Sequence, residues 1–223
     1  MATAYRLHAG DPAPQQQSQV TCGSACLTVA RMLVDPLFAR WIVTGEGPRP
    51  GVRDAPTQAQ RFAAYERIVH QRTNGLYAGN GRLNLPWPRR LGTPPWGAQK
   101  ELEFGAARRG TSYAVTLLRH SSPAALAVHF ERLLHVVADG EPALLYVGDA
   151  ALPRHVVLIL PDNGVGNLEV YDPYAGSVTE LTRAAFANRR VHLANWELAW
   201  FSVEPTDQAR ERAFALRPGV LPA

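Results

Sequence analysis

The chain has 223 residues, 46% of them hydrophobic and 19% charged. That length and balance exclude a disordered segment or a disulfide-stapled mini-protein and predict one domain with a core of its own. The net charge of +4 and the pI near 9.4 come from arginines standing singly or in pairs (Arg89-Arg90, Arg108-Arg109, Arg189-Arg190), with Lys100 as the sole lysine, so no nucleic-acid partner is expected.

The first element predicted is a helix over 22–34, "CGSACLTVARMLV", in which Ala25, Cys26, Val29, Ala30 and Leu33 recur at helical spacing before Pro36 stops it. A second helix is read in "PTQAQRFAAYERIVHQRT". The Gly-, Pro- and Trp-rich stretch 74–97 reads as a long irregular loop and one rim of a substrate cleft. A third helix is expected from about Pro95 through "WGAQKELEFGAARR". A fourth lies in "SPAALAVHFERLLHVVADG", with Ser122 as N-cap, Pro123 in the first turn and Gly140 as terminator. From residue 142 the period changes to short β-rich runs at 142–148, 155–160, 168–173, 177–181 and 195–204, separated by turns such as "PDNGVGN" and "PYAG". Helices first and strands second predict an α+β fold. A helical lobe of about 1–140 would pack on an antiparallel sheet lobe of about 141–205, followed by a tail over 206–223. No window reaches the roughly 18 apolar residues of a membrane span, and the N-terminus has no signal-like apolar stretch. The chain therefore reads as cytoplasmic, with a non-classical route of export left open.

Both cysteines, Cys22 and Cys26, lie in one turn of the first helix. Their spacing suits neither a disulfide framework nor, without further ligands nearby, a zinc site. Cys26, one turn in among Val29, Ala30 and Leu33, reads as core packing. Cys22 opens the helix beside Thr21, Gly23 and Ser24, where the N-terminus offers about half a positive charge and unpaired N–H donors that favour a thiolate. Gly23 is expected to leave room for substrate beside the sulfur. Of the histidines, His155 heads a strand. His129 and His135 lie on the fourth helix, His70 ends the second, His8, His120 and His192 have no acidic or thiol partner in view, and none of the six makes a metal-binding pattern. Trp87, Trp96, Trp196, Trp200 and Phe201 read as core or cleft wall.

Three stretches, "QQSQVTC", "PRHVV" and "EVYDP", place Gln16 six residues before Cys22, His155 before two valines and Asp172 before a proline. The pattern resembles the papain-like cysteine peptidase superfamily. Within it, the chain is most similar to the bacteriocin-leader-processing peptidases that cut after double glycine, and to their stand-alone relatives. The 133 residues between Cys22 and His155 fit the roughly 130 to 150 expected of papain-type enzymes. The resemblance implies Cys22 as nucleophile, His155 as general base, Asp172 as the residue orienting it and Gln16 as side-chain donor of an oxyanion hole completed by the Cys22 N–H. Asp172 would accept the Nδ1 proton of His155 and hold the ring in the tautomer that faces sulfur. No metal or cofactor is needed, because thiolate and imidazole supply nucleophile and base. The expected activity is cleavage of a peptide or amide bond in a peptide or protein substrate through a thioester. A glutamine deamidase or transglutaminase-like effector, or a bacterial toxin, would use the same triad, and an inactive papain-like binding module is the reading outside enzymology. Oligomeric state, and the choice of Gln16 over Gln15 or Gln17, stay open.

Overall fold

The computed structural model describes residues 4–52, 54–79, 81–162 and 165–206; the expected C-terminal tail lies, from residue 207 onward, outside the described residues. Helix α1 (Cys22–Val34) is buried on nearly every side, including all residues from Cys22 to Ala30, as expected of a helix apolar around its circumference. It sits between α3 (Gln58–Asn74) and the sheet. Asp35, whose side chain accepts from the Phe38 N–H, and Pro36 at the first position start a short helix α2 (Pro36–Thr44), which Gly45 ends in a left-handed conformation. This helix was not among those predicted. Helix α3 opens with a reciprocal Thr57–Gln60 capping box. The third predicted helix is shorter than expected: α4 (Pro95–Glu101) gives way to a π-helical turn over Leu102–Ala106.

The sheet has six strands in the order β1-β6-β2-β3-β4-β5, every neighbouring pair antiparallel. Strands β2 (Ala143–Gly148), β3 (Pro153–Ile159), β4 (Leu168–Asp172), β5 (Ser177–Leu181) and β6 (Leu198–Pro205) fall in the five predicted runs. The added strand is β1 (Tyr113–Leu117), which lies in the expected helical lobe between its third and fourth predicted helices and pairs only with β6. Helix α5 (Pro123–Ala138), capped by Ser122 as predicted, and the short α6 (Arg183–Ala187) cover the opposite face of the sheet from α1. The core therefore has two halves. One joins α1, α2 and α3 to Leu144, Tyr146, Val156, Leu158 and Tyr171; the other joins α5 and α6 to Leu145, Val147, Val157, Ile159 and Val170. Alternate residues of β2, β3 and β4 point into each half, the period-2 consequence of a sheet buried on both faces. This is the α+β class expected from the sequence, with the Cys22 helix packed on an antiparallel sheet that carries His155 and Asp172; the helices, expected in one lobe, cover both faces of that sheet.

Candidate active site

Helix α1 is pinned to β3 by its second cysteine. The Cys26 thiol, fully buried, donates to the Val156 carbonyl at 3.4 Å, one residue beyond His155. Burial, reinforced by the neighbouring Cys22, Asp172 and Glu66, holds that thiol well above the usual cysteine range. Cys26 is therefore core packing, as its spacing implied, and it sets Cys22 one turn away, level with His155.

The β3–β4 ladder pairs Leu158 with Tyr171 and Ile159 with Val170. Continuing that register puts Asp172 opposite Val157, so His155 and Asp172 are diagonal neighbours on one face of the sheet. Their side chains meet: His155 Nε2 lies 2.8 Å from Asp172 Oδ1. This corrects the expected tautomer, because Asp172 takes Nε2 and leaves Nδ1 for the ring's other polar neighbour, the Cys22 thiol. Cys22, His155 and Asp172 are 3%, 6% and 5% exposed, so the cluster is shielded from bulk water. Burial alone would discharge the ring, yet the Asp172 hydrogen bond and the adjacent Cys22 outweigh it and push His155 up to about 9. At Asp172 burial likewise opposes ionisation, while His155 and the backbone N–H groups of Tyr174 and Ala175 hold the carboxyl below its ordinary value. The Tyr174 N–H donates to Oδ1 at 2.9 Å, and the Tyr174 ring stands edge-on to His155 with centroids 6.5 Å apart.

The segment before α1 is stitched to the turn after β4. The N–H of Gln16 donates to Pro173 O at 2.9 Å, that of Ala13 to Gly176 O at 2.8 Å, and the Gln15 amide to Tyr174 O at 2.8 Å. Gln16 thereby stands on the Asp172 side of the site. Its Nε2 donates to Ser18 O at 2.8 Å and keeps a second hydrogen for another acceptor, while its Oε1 is buried without a partner. The side chains of Gln15 and Gln17 are exposed and spent on Tyr174 O and Gln15 O. Only Gln16 of the three turns an amide atom inward.

The expected role of Gly23 is overturned. A Cβ built there would fall 2.6 Å from Thr93 Cβ, so the missing side chain admits the Thr93 side chain and leaves no slot for substrate. Gly92 has φ +72° and would direct a Cβ to within 2.9 Å of Val20 O, so both glycines serve one close approach. Thr93 is held by Ser24 Oγ at 3.2 Å and by Tyr146, whose hydroxyl donates to Thr93 O at 3.1 Å. Of the predicted 74–97 loop, it is this end that reaches the start of α1. The Tyr77–Leu83 hairpin is anchored instead by Asn84 on the carbonyls ending α3 and by Lys100 on Leu83 O.

Four residues at or beside the site escaped sequence reasoning: Glu66, Thr93, Tyr146 and Tyr174. Only Tyr174, two residues after Asp172, carried any local signal. Two histidines read as lacking acidic partners have them: His8 meets Glu169, 161 residues away, and His192 lies 4.0 Å from Glu197; His129, placed only on its helix, meets Glu204. Among the described residues no group of three or more His, Cys, Asp or Glu is placed to hold a metal ion, and no helix is long and apolar enough to cross a membrane. The cavity bounded by Trp41, Arg49, Val52 and Arg61 touches none of the site residues.

No protein-family model matches the chain, and no curated protein matches it. Among solved structures it is similar to the peptidase domain of Streptococcus ComA, a bi-functional ABC transporter involved in quorum sensing, with TM-score 0.43 and 12% identity over 87% of this chain and 98% of that one. It is also similar to the Pseudomonas avirulence protein AvrPphB, with TM-score 0.44 and 10% identity over 88% of this chain and 96% of that one. These likenesses concern the fold, and no residue's role is transferred by them.

Proposed function

We propose that this chain is a cysteine-dependent hydrolase that opens a peptide or amide bond of a peptide or protein substrate through a thioester. The observation that carries the reading is the His155 ring, bonded at Nε2 to Asp172, flanked by the Cys22 thiol and biased toward its charged form. His155 holds the proton in an ion pair with Cys22, and the thiolate attacks the carbonyl carbon. The resulting oxyanion is met by the Cys22 N–H at the start of α1 and by the second N–H of the Gln16 amide. His155 then hands its proton to the departing amine, leaving an acyl thioester on Cys22. Water, deprotonated by the same ring, releases the acid and regenerates the thiol. Asp172 keeps Nε2–H pointed at itself, so Nδ1 does both transfers.

A glutamine deamidase would run the same steps on a side-chain amide with ammonia leaving. The inactive binding module is disfavoured by the intact Cys22–His155–Asp172 contact. Limiting iodoacetamide at about pH 6 should label Cys22 and spare Cys26 in the native protein, a preference that denaturation abolishes. Cys22→Ala and His155→Ala should each remove nearly all turnover, since groups acting as a unit are not additive. A mass profile of mixed peptides separates the readings: backbone cuts mean peptidase, and a gain of about one mass unit at Gln means deamidase. Native labelling of Cys26 first, or full activity in His155→Ala, would sink the mechanism.

A further inference from the structure

Helix α3 sends a carboxyl group underneath the proposed oxyanion site. Glu66 is wholly buried; its Oε1 accepts the Gln17 N–H at 3.2 Å, and its Oε2 is buried without a partner. The Thr21 hydroxyl is a second polar neighbour of the same carboxyl. Thr21 also closes the segment on itself, receiving the Ser18 N–H at 3.1 Å and donating to Ser18 O at 3.0 Å, the same carbonyl that holds the Gln16 amide. Thus the Gln16 amide, one of the two donors assigned to the oxyanion, is adjacent in sequence to a residue held by Glu66.

A buried acid is costly unless it is used, and one that only filled the core would be replaced at lower cost by leucine. We infer that Glu66 is a positioning residue that sets the Gln16 donor against the Cys22 N–H by gripping the neighbouring Gln17 N–H. This rests on the cysteine-hydrolase reading above. Glu66 touches neither substrate nor sulfur; it acts through the segment 16–22. Burial raises its carboxyl above the ordinary range, against the Thr21 hydroxyl and the Gln17 N–H. A neutral side chain with an oxygen in the same place should therefore serve nearly as well.

The test compares two reactions of Cys22 that differ in whether an oxyanion forms. Acetylation by p-nitrophenyl acetate forms the S–C bond through a tetrahedral oxyanion and expels p-nitrophenolate with the electrons of the broken C–O bond. Alkylation by iodoacetamide displaces iodide and forms none. Glu66→Ala should slow the Cys22-dependent burst of p-nitrophenolate by about 10- to 100-fold, part of the 10² to 10³ that loss of a donor costs, while the alkylation rate stays within about twofold of the parent. Glu66→Gln, whose amide oxygen can still accept the Gln17 N–H, should restore the burst. If Glu66→Ala does not fold, Glu66→Asp, one methylene short of Gln17, carries the same comparison. A parent-like burst in Glu66→Ala, or equal losses in both reactions that Glu66→Gln does not relieve, would overturn the positioning role. A parent protein whose burst is unchanged by Cys22→Ala would overturn the hydrolase reading itself, and this role with it.

Discussion

At His155 burial and hydrogen bonding pull in opposite directions, and the outcome decides what the ring can do. Desolvation disfavours the imidazolium, but Asp172 at 2.8 Å and Cys22 on the other side leave it charged up to about pH 9. In the proposed mechanism the alkaline limb of kcat/KM should therefore fall near that value, where the ring loses its proton. Asp172→Asn removes the principal raising partner, so the limb should move acidward toward the ordinary 6.5, and kcat should drop by about 10²-fold or more because Nε2–H is no longer held. A profile measured from pH 5 to 10 checks both, and an unmoved limb would detach Asp172 from the ring's titration. The candidate Cys22 was legible at this scale because a helix start and a cysteine are local features. Which ring nitrogen faces sulfur was not, since it depends on how β3 and β4 approach α1.

The elements show the same division. Helix α2 was legible and passed over: Asp35, Pro36 and Gly45 are an N-cap, a first-turn proline and a left-handed terminator, all written locally. Strand β1 was not legible in that way. Its five residues pair only with β6, as far off as Tyr113 from Pro205, and an edge strand with one neighbour carries a weak pattern of its own. The approach of Gly92–Thr93 to α1 is likewise a meeting of distant elements, and it can be broken from either side. Gly23→Ala forces a Cβ against the stiff, branched Thr93, so it should cost about 1–3 kcal/mol and depress turnover by displacing the loop. Thr93→Gly in the same chain should return most of the stability. Thermal melts of the two single variants and the double variant measure that coupling; independent, additive losses would mean that the contact does not matter.

Across the whole molecule the sheet separates two jobs. The α1 side carries the site, while the α5 side is fastened to the sheet by a buried ionic cluster. Glu204 on β6, 1% exposed, accepts from Arg132 at 2.8 Å and from Ser202 at 2.9 Å, and lies 3.0 Å from His129. Burial disfavours its charge, but His129, Ser202 and Arg132 outweigh that and hold its carboxyl below the ordinary 4.5. Its stabilising contribution is complete above about pH 4.5 and is lost as pH falls through the lower folded value. Glu204→Ala removes the acceptor that His129, Ser202 and the part-exposed Arg132 share, a loss of about 1–3 kcal/mol, and should flatten the acid side of the stability curve. Activity per folded molecule should persist, because none of the cluster touches Cys22, His155 or Asp172. Urea titrations at several pH values test the first claim and active-site labelling tests the second.

By itself the sequence determined the class of the fold, five of the six strands, helices α1, α3 and α5, and the three short stretches that hold the candidate site. Each of these depends on periodicity, on caps and turns, or on a fixed number of residues between two groups, and such interactions span a few residues. Tertiary structure alone decided that Asp172 takes Nε2, that Gly23 makes way for Thr93, that Gln16 and not its neighbours turns inward, and that Glu66 lies beneath the segment before Cys22. Every one of these is a contact between elements brought together by packing on a twisted sheet. Its geometry is set by register and helix placement, quantities that no local run of residues contains.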